Sequence, residues 1–286
     1  MGSAGTLPPI TTTTTPLRRA IQASREGGGP AVGSWLTLPG FTLARTVAAT
    51  GPDWVLVDCE HGNLDDAAMY HSVAAIAAAG ASPIVRVPWA EPWLIKRALD
   101  SGAHGIMVPM VETKEQAEMV ARASHYTSTE YPNGVRGCGG AFAPANLGLG
   151  AASYHRQAND MVFVIVQVES ELGVANAAEI AAVPGIDGLF IGPADLASSM
   201  GYFPYDFATI PAVLEAAESV RVAAKAAGKT AGHFCMNAAD VLVKAKAGWD
   251  FMNCGADIVA LGSWMGGEMA KIKAPAAERQ GGKKSE

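Results

Sequence analysis

Residues 54–63 read WVLVDCEHGN. Four apolar residues, Trp54 to Val57, run into Asp58, Glu60 and His61 without a transition. A short run that is apolar throughout is the pattern of a strand buried on both faces. Polar residues massed where it stops mark a strand end that opens on a functional rim. Gly62 lets the chain turn, and Asn63 is placed to cap a helix beginning at Leu64. Similar short strands are predicted at 31–36, 54–58, 83–87, 105–109, 162–169, 187–191, 230–234 and 249–254. Alanine-rich helical stretches alternate with them at 40–50, 64–79, 91–102, 113–126, 171–182, 211–227, 237–247 and 256–272, after a short helix at 17–24. Strand and helix repeated eight times in roughly 250 residues predict an α/β protein with a (β/α)8 TIM barrel. A doubly wound nucleotide fold fits less well, because no GxGxxG opens a helix.

The bulk numbers exclude several classes. With 286 residues, 49% hydrophobic and 17% charged, the chain can bury a sizeable core. A net charge of -6 argues against a nucleic-acid partner. No apolar run reaches the roughly 18 residues of a membrane span. Cys59, Cys138, Cys235 and Cys254 lack metal or redox spacing and read as reduced, mostly buried thiols of a cytoplasmic protein. Arg18, Arg19 and Arg25, with no acid in the first 25 residues, leave organelle targeting as the alternative. Residues 1–16 and 274–286 read as disordered tails around a barrel at 17–273. Two connections are long, 127–160 and 192–210, and long loops tend to be functional. The second should hold a short helix, with Pro193 of GPAD at its first position.

Polar residues at the C-terminal ends of barrel strands face a common site. Strand by strand these are Ser34 or Trp35, then Asp58, Glu60 and His61, then Arg86, Gln167 and Glu169, Asp195, His233 and Asn253. Each alone could be a loop residue satisfying backbone groups. Glu169 and Asp195, on neighbouring units, suit an octahedral divalent cation that keeps water and substrate ligands; otherwise Glu169 caps the next helix and Asp195 answers a helix dipole. The lysines fall on predicted helices, their ends or the tail, so a Schiff-base mechanism has no candidate, and if carbonyl chemistry is done here a metal must act as electron sink. Arg86 interrupts an apolar strand; it either clamps an anionic substrate or pairs with Asp58 or Glu60. The N–H groups at the start of the GPAD helix could hold a carboxylate. His61 is the acid–base candidate, with Asp58 or Asp100 to orient it. His233 is as well explained by packing.

These motifs bring a known family into view. VLVDCEHGN (55–63), VRVP (85–88), LDSGAHGIMVPMV (99–111), YPNGVRG (131–137), VQVES (166–170) and DGLFIGPADLASSMGY (187–202) resemble the HpcH/HpaI aldolase family in order and spacing. The resemblance implies a metal-dependent barrel that binds pyruvate and cleaves 4-hydroxy-2-oxo acids to pyruvate and an aldehyde. It implies Glu169 and Asp195 as ligands of a divalent ion, Mg2+ first, with Mn2+, Co2+ or Zn2+ as alternatives. It implies Arg86 at the 2-oxo acid and its enolate, and Gln167 near the substrate oxygens. The backbone of Ala194 and Asp195 would hold the carboxylate, and His61 would act with Asp100 and Asp58. The expected partners are a small 2-oxo acid and copies of the same chain, in a hexamer arranged as a trimer of dimers that exchange the last helix. No nucleic acid or membrane is expected.

The sequence departs from the family's pattern at Asn133, in place of a proline, and at Pro144, where an arginine is usual. Both bear on the aldehyde half of the substrate. Because the 127–160 segment leaves a helix to enter a strand, it starts from the opposite mouth of the barrel. Arg136 is therefore expected to serve a neighbouring subunit. The rival readings are an oxaloacetate decarboxylase or macrophomate-synthase-like enzyme using the same enolate, and a non-catalytic barrel.

Overall fold

The computed structural model describes residues 14–273. Eight strands form its centre: β1 (Ala31–Leu36), β2 (Trp54–Asp58), β3 (Ser82–Arg86), β4 (Gly105–Val108), β5 (Phe163–Gln167), β6 (Gly188–Ile191), β7 (Thr230–His233) and β8 (Phe251–Ala256). They close in chain order, β1 to β8, every pairing parallel. This is the expected (β/α)8 barrel. Alternation along each strand divides the core in two. Residues turned outward, such as Val55, Val57, Val85, Ile106 and Val164, pack under the helices. Those turned inward, including Trp35, Trp54, Leu56, Ile84, Met107, Phe163, Phe190 and Phe251, fill the barrel.

The N-terminal mouth is plugged. The helix Pro16–Arg25 buries Leu17 and Ile21 with the inward-facing residues. It begins where the Thr15 side chain accepts the Arg18 N–H at 3.2 Å. Thr15 is itself buried, so ordered chain starts inside the expected 1–16 tail, whose first 13 residues lie outside the described ones, as does 274–286. Arg18 donates to the carbonyls of Met161 and Val162 and pairs with Asp187. Arg25 reaches Gly228 O and Thr230 Oγ1, each at 3.3 Å. Two of the three arginines behind the targeting alternative are thus bound into the barrel. No described helix is long and apolar enough to cross a membrane.

Local chemistry moves some expected boundaries. The helix after β2 starts at Asp66 and not at Leu64, because the Asp65 carboxylate caps it, accepting the Ala68 N–H at 2.8 Å. Asn63 is still in the rim turn, its N–H on Thr37 O at 2.9 Å. The stretch 171–182 forms two helices, Glu171–Ala175 and Ala177–Ala181, broken at Asn176. There the side chain of Asn176 turns to donate to Glu112 O. The long 127–160 connection carries helices at Ala143–Asn146 and Ala151–Met161. All four cysteines are free, but only Cys235 is buried, and Cys138 and Cys254 are exposed, fewer buried thiols than the sequence suggested.

Two histidines are sealed into this frame. His104 meets Ser82 Oγ through Nδ1 at 3.0 Å, and His233 packs edge-on against Trp249. Burial pushes His104 down to about 4 and His233 down to about 3. Both stay neutral in the fold, while the unfolded chain protonates them near pH 6.5. Below that pH the unfolded state binds more protons, so stability falls as pH falls, by about 1.4 kcal/mol per pH unit for each histidine. Each of the two histidines should therefore contribute roughly 1–2 kcal/mol of lost stability between pH 6.5 and pH 5 in urea unfolding. The H104Q variant should flatten the profile, and an unchanged slope would show that these histidines do not carry it.

Candidate active site

The site grows from the C-terminal ends of β1, β2 and β3. Asp58 and Arg86 occupy paired positions in the register of β2 and β3, so their side chains project to the same side. Arg86 grips Asp58 with two bonds, Nε to Oδ1 at 2.8 Å and Nη2 to Oδ2 at 2.6 Å. Its Nη1 lies 2.9 Å from Glu60 Oε2 and 3.5 Å from Gln167 Oε1. Trp35 completes the group: its ring lies under the guanidinium at 4.9 Å, and its Nε1 donates to Asp58 Oδ2 at 3.0 Å. Burial alone would raise the Asp58 carboxyl, but Arg86, Trp35 and the His61 N–H hold it below its usual range. Arg86 is thus an ion-pair partner of both acids, and it also lines the cavity.

A second group lies beside it. Glu169 is almost wholly buried, accepting from Met110 N–H at 3.0 Å and from Gln167 Nε2 at 2.9 Å. Met110 has φ 52°, the left-handed region that a side-chain-bearing residue rarely adopts, and this turn aims its N–H at the carboxylate. Burial raises Glu169 to about 8, with Asp195 and Glu60 adding to the effect and Met110 N–H and Arg86 opposing it. Asp195 stands in the first turn of the helix Pro193–Ser199, which starts after Gly192 with Pro193 at its expected place. Ser170, not Glu169, caps the helix after β5.

The residues between these groups enclose a cavity of about 300 Å³. His61, Arg86, Gln167 and Asp195 form its polar side. Trp35, Phe190, Tyr205, Phe207, Phe234 and Met236 form an apolar wall. No lysine lines it among the described residues.

The remaining sequence candidates separate. The His61 side chain is 66% exposed, with Glu60 as its nearest carboxylate at 3.8 Å. Asp58 touches His61 only through the backbone N–H, at 3.3 Å. Asp100 ends the helix Pro92–Asp100 that leads into β4, so it lies at the opposite mouth. Neither aspartate orients the His61 ring within one chain. His233 turns out of the barrel onto Trp249, and Asn253 ties β8 to the backbone of Cys235. The period of two along β7 points Phe234 to the cavity instead. Arg136, expected to reach outward, is buried in its own chain. Met110 and Gly192 had no side-chain signal to reveal them.

The donor set suits a divalent cation. Asp195 is close enough to help raise Glu169, and among the described residues no ion pair neutralises Glu169. No cluster of three or more protein ligands forms among the described residues. A cation here takes its other ligands from water or substrate, the habit of Mg2+.

The sequence profile described as HpcH/HpaI aldolase/citrate lyase matches residues 32–263. The chain belongs to this family. It is 38% identical over 260 residues to a hydroxypyruvate/pyruvate aldolase of Agrobacterium fabrum, covering 90% of this chain and 95% of that one. A 4-hydroxy-2-oxo-heptane-1,7-dioate aldolase of Salmonella arizonae is 37% identical, with 86% and 89% covered. The crystal structure of macrophomate synthase superposes with a TM-score of 0.81 at 27% identity, over 95% of this chain and 94% of that one.

Gly192 provides the sharpest test of the acidic pair. A Cβ there would fall 2.1 Å from Glu169 Oε2. The clash is with a side-chain end, so G192A should fold with little change in melting temperature while displacing Glu169. Calorimetric titration with Mn2+ should show at least tenfold weaker binding than for the unsubstituted protein. Equal affinity would exclude Glu169 as a ligand.

Proposed function

We infer that the protein is a divalent-metal-dependent, class II aldolase that cleaves a 4-hydroxy-2-oxo acid to pyruvate and an aldehyde. The observation that carries this reading is the shared cavity. Glu169, buried without an ion-pair partner among the described residues, and the exposed Asp195 adjoin the Arg86–Gln167 edge and an exposed imidazole, His61. Glu169 and Asp195 would hold the cation, with Mg2+ the best match to an all-oxygen set. When bound, it supplies Lewis-acid stabilisation of the charge that develops on the 2-oxo oxygen. The non-catalytic reading has nothing in this site to support it.

The chain's own residues do the rest. Arg86 Nη1 and Gln167 stand where the 2-oxo acid enters, and the guanidinium, fixed by Asp58, stabilises the enolate that remains after C3–C4 cleavage. The Ala194 and Asp195 N–H groups precede the first intrahelical bond, from Leu196 N–H to Gly192 O, and serve the substrate carboxylate. His61 takes the proton of the 4-hydroxyl. The apolar wall shields the reacting carbons from water. Loss of CO2 from oxaloacetate gives the same enolate with no hydroxyl proton to remove, and the likeness to macrophomate synthase favours this as a second activity of the same site.

The working form is an oligomer, a hexamer built as a trimer of dimers. The last helix, Asp257–Lys273, buries only Asp257, whose carboxylate accepts from Thr37 and Leu38. Ile258, Leu261, Trp264, Met265, Met269 and Ile272 remain exposed along it. Its exchange with a second copy would cover them. Asp100, whose Oδ1 has no hydrogen-bond partner among the described residues, would then serve His61 of the partner subunit.

A pyruvate-release screen across 4-hydroxy-2-oxo acids and oxaloacetate tests the chemistry. Release should require Mg2+ or Mn2+ and stop with EDTA; no release with any divalent ion would overturn the reading. H61A should lower aldol cleavage by about 10²-fold or more while sparing decarboxylation. W264E should lower the mass found by light scattering; an unchanged mass would rule out the exchanged helix.

A further inference from the structure

Arg136 is the most enclosed cation among the described residues, its side chain 0% exposed. Its Nη2 donates to Tyr154 Oη at 2.6 Å and reaches Leu99 O at 3.4 Å. Its guanidinium carbon lies 4.5 Å from the Tyr126 ring centre and 5.5 Å from that of Tyr154. Among the described residues Nε and Nη1 have no hydrogen-bond partner, and neither does Asp100 Oδ1, 4.0 Å from Nη2.

The spacing is unusual for a structural pair. A buried guanidinium and carboxylate normally close to hydrogen-bond distance, as the exposed Arg97 and Asp66 do here at 2.6 Å. Arg136 is held back from Asp100 by Tyr154, the Leu99 carbonyl and the Tyr126 ring. The result is a fixed positive charge behind a carboxylate whose hydrogen-bonding capacity is left open. The backbone of Gly140 closes over the same oxygen: a Cβ there would sit 2.8 Å from Asp100 Oδ1. Lys96, Arg97 and Tyr70 are the other titratable groups around Asp100.

We propose that Arg136, clamped between Tyr126 and Tyr154, is a positioning residue that holds the Asp100 carboxylate ready for His61 of the partner subunit. This rests on the reading that Asp100 assists that histidine. It assigns the YPNGVRG block a role in proton transfer, exerted from the mouth of the barrel opposite to its own cavity.

The test uses R136Q, R136K, the near-isosteric Y154F and D100N in the full-length, metal-loaded protein. Aldol cleavage and oxaloacetate decarboxylation are measured on each. Decarboxylation uses the same cavity but removes no hydroxyl proton, so a merely structural defect lowers both reactions. The expected result is a kcat for cleavage at least tenfold lower in R136Q and about threefold lower in Y154F. KM and decarboxylation should stay within twofold, and R136K should recover part of the loss. If D100N abolishes cleavage while R136Q and Y154F leave it within twofold, the positioning role is overturned and the Asp100 reading stands. If D100N itself cleaves normally, both fall. Should R136Q fail to fold, Y154F decides alone: an equal loss in both reactions, or none, rejects the proposal.

Discussion

The catalytic rim depends on the bidentate bond between Arg86 and Asp58. The two residues are register partners on adjacent strands, so the barrel itself delivers them face to face. Both are buried, and each is tolerable only because the other is present. Removing one partner of such a pair costs about 3–5 kcal/mol, most of it the penalty of a stranded charge. The same carboxylate also accepts the N–H groups of Glu60 and His61, which shapes the turn that carries the imidazole. One aspartate therefore fixes both the cation that would meet the enolate and the backbone of the base.

This pairing divides the acids around the cavity into two sets. Asp58 and Glu60 are answered by Arg86. Glu169 has no such answer among the described residues, and Asp195 is exposed to water. A buried carboxylate in that position takes a proton or a metal ion, and burial pushes Glu169 up to about 8. Met110 adds a second sign that the place is specialised. A left-handed backbone costs an L-residue about 1–2 kcal/mol, and here the strain coincides with an N–H aimed at Glu169. Strain held at one atom of one carboxylate is what an arrangement built to fix a ligand's direction requires.

Much of this was legible in the chain because barrel chemistry is written locally. A strand end is marked by an abrupt change from apolar to polar residues, and Asp58, Arg86, Gln167 and Glu169 all lie at such changes. The topology then brings them together without further information. What was not legible depends on direction and not on position. His233 and Phe234 are adjacent at one strand end, and only the inward or outward turn of β7 decides which meets the cavity. Asn63 and Asp65 are both good caps, and the rim turn had first use of Asn63. Arg136 was placed at the correct mouth, but its side chain turned inward because Tyr126 and Tyr154 offer a better surface than water.

A single chain leaves three things unfinished, and each lies in a different place. The His61 ring is exposed and has no carboxylate at hydrogen-bond distance. Asp100, at the far mouth, has a buried oxygen with no hydrogen-bond donor. The helix Asp257–Lys273 exposes most of its large apolar side chains, although burial is what normally stabilises such residues. None of these can be mended by rearranging side chains within the barrel, because the first two are separated by the length of the strands. Association would mend them together: a copy that covered the helix would remove apolar surface from water, and one that brought its far mouth to this rim would supply the acid that the imidazole lacks. Closed symmetric assemblies satisfy every copy by repeating the same contacts. In such an assembly proton transfer would be a property of the interface, and metal binding a property of the barrel.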